Sequence, residues 1–197
     1  MSKYSLIILV SALFFANQSF AQCTLDTITQ RLSETKLNAS FVQSKKIPAL
    51  ENVLKSEGSI WLSERADLVW QVDKPIKSTM VIKQGDIIQF NRKDQRIDSH
   101  KAVAPTGLAG LFYSIASGDF AALSEQFEIE LQCNQLTWEV LLQPKDQQIS
   151  QFIKELRLTG DEQINSFSYL EKRGDNTQVE LTHLKTPLSS ELARYLD

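Results

Sequence analysis

Apolar and polar residues alternate with a period of two through most of this chain, and that pattern constrains the fold more than any other feature. Strand side chains point to opposite faces in turn, so such runs read as half-buried β-strands. Asp67–Asp73 places Leu68, Trp70 and Val72 on one face and stops at Pro75. Ser78–Lys83 sets Met80 and Ile82 against Thr79 and Val81, and Gln84-Gly85-Asp86 then reads as a hairpin turn. Ile87–Arg92 returns with Ile87 and Gln89 opposite Ile88 and Phe90. Asn38–Ser44, Lys55–Ser63, Phe127–Cys133, Leu136–Gln143, Phe152–Thr159, Ser166–Glu171 and Gln178–His183 follow the same rule, and Gln95–Ser99 is a short candidate.

Helical spacing occurs at the start and in the middle. Leu25, Ile28 and Leu32 form a stripe over Thr24–Leu37, with Thr24 or Asp26 as cap. Leu108, Leu111, Phe112 and Ile115 form another over Gly107–Ser117, capped by Thr106 and ended by Gly118. Asp119–Gln126 is a candidate short helix, and Pro187–Leu196 a closing helical turn. The strands follow one another through short connections, with no helix between most pairs. This predicts a mainly β domain built as an antiparallel meander with covering helices, and it disfavours a parallel α/β fold.

The N-terminus reads as an export signal. Lys3 precedes an apolar run from Leu6 to Ala16, and the triplet Ser19-Phe20-Ala21 supplies a small-x-small end. The run is about half the ~20 apolar residues a spanning helix needs. Residues 1–21 are therefore read as a signal peptide and 22–197 as one domain, destined for the periplasm. Lipidation of Cys23 would require a small residue before it, whereas Gln22 stands there.

The whole chain carries 21 basic and 24 acidic residues, and loss of Lys3 with the signal moves the net charge from −3 to −4. That balance, without a basic cluster, argues against a nucleic-acid partner. Cys23 and Cys133 are the two cysteines, and an even pair in an oxidising compartment reads as a disulfide. No third cysteine or nearby histidine completes a metal set, and no cofactor motif is present. His100 and His183 lack a Gly-x-Ser-x-Gly elbow that would support a hydrolase. Asp161-Glu162 and the Glu125/Glu128 pair read as solvated turns and edges. What remains is a set of bulky apolar residues on predicted strands and the mid-chain helix, and periodicity does not decide whether the core they form is filled or hollow.

The order of landmarks is more specific. Ala39-Ser40-Phe41-Val42-Gln43 is followed by Ser56-Glu57-Gly58-Ser59-Ile60-Trp61-Leu62, then by Leu68-Val69-Trp70-Gln71-Val72-Asp73-Lys74-Pro75, then by Met80-Val81-Ile82-Lys83-Gln84-Gly85-Asp86. Ile153–Asp161 through Phe167-Ser168 supplies a late hairpin. This series resembles the LolA-like periplasmic lipoprotein carriers over most of residues 24–183. The resemblance implies an incomplete antiparallel β-barrel, a half-barrel, with a helical lid over an apolar cavity. It implies a monomeric, non-enzymatic carrier that shuttles a lipidated protein or related lipid from inner to outer membrane. An ATP-driven inner-membrane release complex and an outer-membrane acceptor are the implied partners. An outer-membrane acceptor of the same fold, anchored through Cys23, and a lipid-acting hydrolase are the alternatives. On this reading Phe41, Trp61, Trp70, Met80, Ile82, Phe90, Leu108, Leu111, Phe112 and Trp138 line the cavity. One departure stands out: Val69 occupies the position where the family typically carries a lid-latching arginine.

Overall fold

The computed structural model describes residues 23–63, 67–83, 86–97, 106–134, 136–185 and 195, and for 106–110 and 112 the backbone alone. The predicted signal peptide, His100 and most of the predicted closing turn lie outside the described residues. In chain order the elements are α1 (Leu25–Thr35), β1 (Asn38–Lys46), β2 (Leu54–Leu62), β3 (Leu68–Lys74), β4 (Ser78–Lys83), β5 (Asp86–Phe90), β6 (Arg96–Ile97), α2 (Thr106–Ser117), α3 (Phe120–Gln126), β7 (Phe127–Cys133), β8 (Trp138–Pro144), α4 (Gln147–Ser150), β9 (Ile153–Gly160), β10 (Ile164–Glu171) and β11 (Asn176–His183).

Local chemistry sets the boundaries. Thr24, rather than Asp26, caps α1: its hydroxyl accepts from the Thr27 amide at 3.2 Å, and the Thr27 hydroxyl accepts from the Thr24 amide at 3.0 Å. β8 starts two residues later than the alternation suggests, because the Asn134 side chain accepts from the amides of Leu136 and Thr137 and holds them in a turn. Asp146 accepts from the Gln148 and Ile149 amides and nucleates the unexpected α4.

The strands form one antiparallel sheet in the order β6-β5-β4-β3-β2-β1-β11-β10-β9-β8-β7. It consists of two meanders, β1–β6 and β7–β11, joined where the first strand pairs with the last. That seam runs from Ala39 opposite His183 to Lys46 opposite Asn176. The outer strands β6 and β7 do not pair, so the barrel is incomplete, and α2 and α3 fall between those two edges in sequence. Inner-face residues from both wings, including Ile82 on β4 and Leu142 on β8, belong to one continuous core cluster, so the sheet curls round it. Ile28 and Leu32 of α1, Leu111 and Ile115 of α2, and Phe120 and Leu123 of α3 pack into the same cluster.

A disulfide joins Cys23, just before α1, to Cys133 at the end of β7. Within β1–β5 the outer face carries a second, smaller cluster of Val69, Val81 and Tyr195, flanked by Trp61, Ile88 and Phe90.

Candidate lipid-binding cavity

The floor of the inner face is aromatic. Phe41 of β1 lies 4.7 Å from Trp70 of β3 between ring centroids, and Trp70 meets Phe167 of β10 edge-on at 5.9 Å. Phe41 reaches Trp70 across β2 because Gly58 stands opposite it in the register. A Cβ on Gly58 would sit 2.8 Å from the Phe41 ring and 1.9 Å from the Gln71 carbonyl oxygen, so the aromatic contact requires glycine there. The other wing uses the same device. Trp138 of β8 covers Gly160 of β9, where a Cβ would lie 2.3 Å from the indole, and its N–H donates to the Asp161 carbonyl at 2.8 Å.

Helix α2 closes over this floor. Leu111, Ile115 and Ala116 are buried against it. The gap left between Leu37, Ile60, Trp70, Ile115, Ala116, Ile164, Phe167 and Leu181 is about 10 Å³. That is about the room one water needs, against the hundreds of Å³ of a small-molecule site. Between the described residues of α2 and the floor, the helix itself fills the space available to an apolar ligand. The helix ends at Gly118, where φ is +66° and a Cβ would lie 2.9 Å from the Leu32 side chain, and both favour glycine.

Six of the ten anticipated lining residues fall in the inner cluster: Phe41, Trp70, Met80, Ile82, Leu111 and Trp138. Trp138 sits in the wing opposite to Trp70, over Gly160. Trp61 and Phe90 do not join them. Trp61 pairs with Val69 and Phe90 with Thr79, and parity turns both to the outer face beside Val81 and Tyr195. For Leu108 and Phe112 only the backbone is described. Sequence reasoning passed over Ile60, Ile164, Phe167 and Leu181 as lining residues; Ile164 precedes the predicted strand Ser166–Glu171, and a register shift between Ile164 and Ser166 brings it onto the same face as Phe167. Val69 is buried on the outer face, so the position of the family's latch arginine points away from the α2 side of the sheet.

Among the described residues, neither His183 nor Asp161 builds a catalytic arrangement. His183 places Nε2 2.7 Å from the Ile164 carbonyl, and its buried Nδ1 meets no hydrogen-bond partner. The Asp161 carboxylate instead organises the β9–β10 turn. The Asn165 amide holds it below its ordinary pKa, burial opposes this, and the Gln163 and Glu162 amides add to the lowering. Among the described residues no helix is long and apolar enough to cross a membrane. Among them, too, no group of three or more His, Cys, Asp or Glu is placed to hold a metal.

An open antiparallel sheet curled round an aromatic floor, with a helix laid over it, defines the half-barrel class with a helical cover. Within that class, the family model described as outer membrane lipoprotein carrier protein LolA-like matches residues 18–186. The chain belongs to the LolA-like outer membrane lipoprotein carrier family. Among solved structures it is similar to a LolA superfamily protein from Nitrosomonas europaea, with 9% identity, a TM-score of 0.44, and 87% of this chain and 98% of that one covered. It is also similar to MucB in the Pseudomonas aeruginosa MucA/MucB complex, with 13% identity, a TM-score of 0.47, and 85% and 60% covered. A putative outer membrane lipoprotein-sorting protein domain from Vibrio parahaemolyticus gives 9% identity, a TM-score of 0.43, and 88% and 99% covered. No curated protein matches the chain in sequence.

Proposed function

We propose that this protein is a periplasmic carrier that takes acyl chains of a lipidated protein, or of a related lipid, onto the floor now covered by α2, and moves them from inner to outer membrane. The observation that carries the reading is the seating of Ile115 and Ala116 of α2 beside Trp70 and Phe167 of the aromatic floor. An apolar helix face occupies the place an acyl chain would take, so lifting α2 exposes a ready-made apolar surface. Each methylene kept from water contributes about 0.8 kcal/mol, so a dozen contribute on the order of 10 kcal/mol. A carrier needs such a surface, and it also needs a competitor for it, because a permanently open cavity would hold the client too tightly to hand it on. A seated helix is such a competitor. The inner-membrane release complex and the outer-membrane acceptor are the partners this reading requires.

The anchored-acceptor alternative fits less well, because a Cys23 sulfur bonded to Cys133 is not available for a lipid thioether. The hydrolase alternative finds no support at His183, to which no hydroxyl or carboxylate among the described residues is hydrogen-bonded.

The test is native mass spectrometry of the protein purified from its own periplasm, followed by organic extraction, together with titration of a fluorescent fatty-acyl probe. A co-purifying acylated protein or lipid, or saturable probe uptake, is the expected result. Protein that arrives empty and takes up no probe would overturn the carrier reading in favour of a filled core.

A further inference from the structure

One end of the sheet is built unlike a solvated rim. In the β1–β2 loop and the first residue of β2, Leu50, Val53 and Leu54 are 47%, 46% and 49% exposed, and Phe152, just before β9, is 52% exposed. These positions lie along one edge. Lys46, the last residue of β1, pairs with Asn176 of β11. Pro48 approaches Gly174 in the β10–β11 turn, where a Cβ would lie 3.3 Å away. The Lys172 amide in that turn donates to the Phe152 carbonyl at 2.8 Å. The row therefore crosses the ends of β2, β1, β11, β10 and β9, roughly 20 Å at the usual strand spacing.

The exposed charge beside this row is mostly basic, although Glu57 and Asp146 are exposed nearby. Lys46, Lys55, Lys154, Lys172 and Arg173 are exposed along it. Two of the nearby acids, Glu171 and Asp175, are turned inward onto Lys45, at 2.5 and 3.2 Å. Glu171 also meets Arg173 at 3.4 Å, and Glu51 remains as an exposed acid in the loop. Exposed apolar side chains set among lysines, on a chain whose overall charge is negative, match a surface with apolar depth and anionic headgroups.

We propose that this end is a docking surface for an anionic phospholipid bilayer, with Leu50, Val53, Leu54 and Phe152 entering the headgroup boundary and the flanking lysines contacting lipid phosphates. The inference goes beyond the carrier reading and does not depend on an acyl-binding interior.

The test is flotation of residues 22–197 with vesicles of phosphatidylethanolamine and phosphatidylglycerol, against phosphatidylcholine vesicles. The described contacts all lie within 23–195, and the apolar run at 6–16 would bind bilayers by itself. Expected is binding to the anionic vesicles that falls as salt rises and is not competed by glycerol phosphate. Lys55→Glu and Lys172→Glu should each weaken it about five-fold or more. Leu50→Asp with Phe152→Ser should abolish it with the far-ultraviolet circular dichroism unchanged. Leu136→Asp, in the β7–β8 turn at the opposite end of the sheet, should leave it intact. No binding to anionic vesicles, or binding that survives all the rim variants, would overturn the proposal. Capture of a protein by this rim without vesicle binding would overturn it too. Vesicle binding by protein that takes up no acyl probe would sink the carrier reading and leave this one standing.

Discussion

Gly58 and Gly160 show how single residues shape this interior. Each stands directly opposite an aromatic residue, Phe41 in one case and Trp138 in the other, and each lets a ring lie across the sheet where a side chain would block it. Gly58→Val should therefore cost about 1–3 kcal/mol by overpacking, or more if the Gln71 carbonyl must also move. A lower urea midpoint, together with altered near-ultraviolet signal from Trp70, is the check. An unchanged midpoint would mean that the floor is less tightly built than the geometry shows. A second residue-scale effect belongs to Lys45. Burial pulls its pKa down, but the hydrogen bonds it donates to Glu171 and Asp175 outweigh that and leave it above its ordinary value. A group whose folded pKa is raised stabilises fully below its unfolded pKa, and the contribution fades as pH rises through the folded value. The wild type should thus lose stability above the ordinary lysine pKa of 10.5 relative to Lys45→Met, in paired thermal melts across the alkaline range. Parallel alkaline limbs would exclude this cluster as the cause.

Among the elements, α2 is the piece whose behaviour decides function. Ile115→Ala removes a side chain from the gap above Trp70 and should lower stability by about 2–5 kcal/mol. If the floor accepts acyl chains, the same variant should take up more fatty-acyl probe than the wild type. Destabilisation without added uptake would show that α2 covers a core rather than a site. The element scale is also where the sequence was most legible. The period-two runs of Leu68–Val72 and Ser78–Lys83, and the helix ending before Gly118, lie in the structure where the pattern predicts them, although both strands are buried on two faces, the inner by the main core and the outer by the Val69–Val81–Tyr195 cluster. The faces of Trp61 and Phe90 were not legible, since their size suggests the main core whereas their register, set by Val69 and Thr79, turns them outward. Nor was the close seating of Ile115 and Ala116 beside Trp70 and Phe167, because alternation marks which face is apolar but not what rests on it. α4 depends on one capping aspartate and is too short to show a period.

The whole molecule is held together by contacts between distant parts of the chain. The Cys23–Cys133 bond spans 110 residues and fastens the segment before α1 to the end of edge strand β7. In the chain-entropy account a loop of that size contributes about 4–5 kcal/mol, mainly by restricting the unfolded chain. Cys133→Ser should lower the unfolding free energy by roughly that amount in urea titrations, and a loss below about 1 kcal/mol would show that native strain or residual structure offsets it. The seam is the other long-range element. The Ser40 hydroxyl and the Thr182 carbonyl, which meet across it, are 142 residues apart in sequence.

That seam gives the sheet a hidden simplicity. Reading the strand order from β7 through β11 and on from β1 to β6 produces an unbroken succession of neighbours. The covalent chain is a circular permutation of a plain meander, cut in the middle of the sheet rather than at its margin. A chain read from its N-terminus therefore has one wing complete while its central neighbour is still unmade, and the two wings can join only when β11 arrives. Completion of the sheet thus waits on the C-terminal residues, and α2, which lies between the wings in sequence, is in place before the second half of its floor exists.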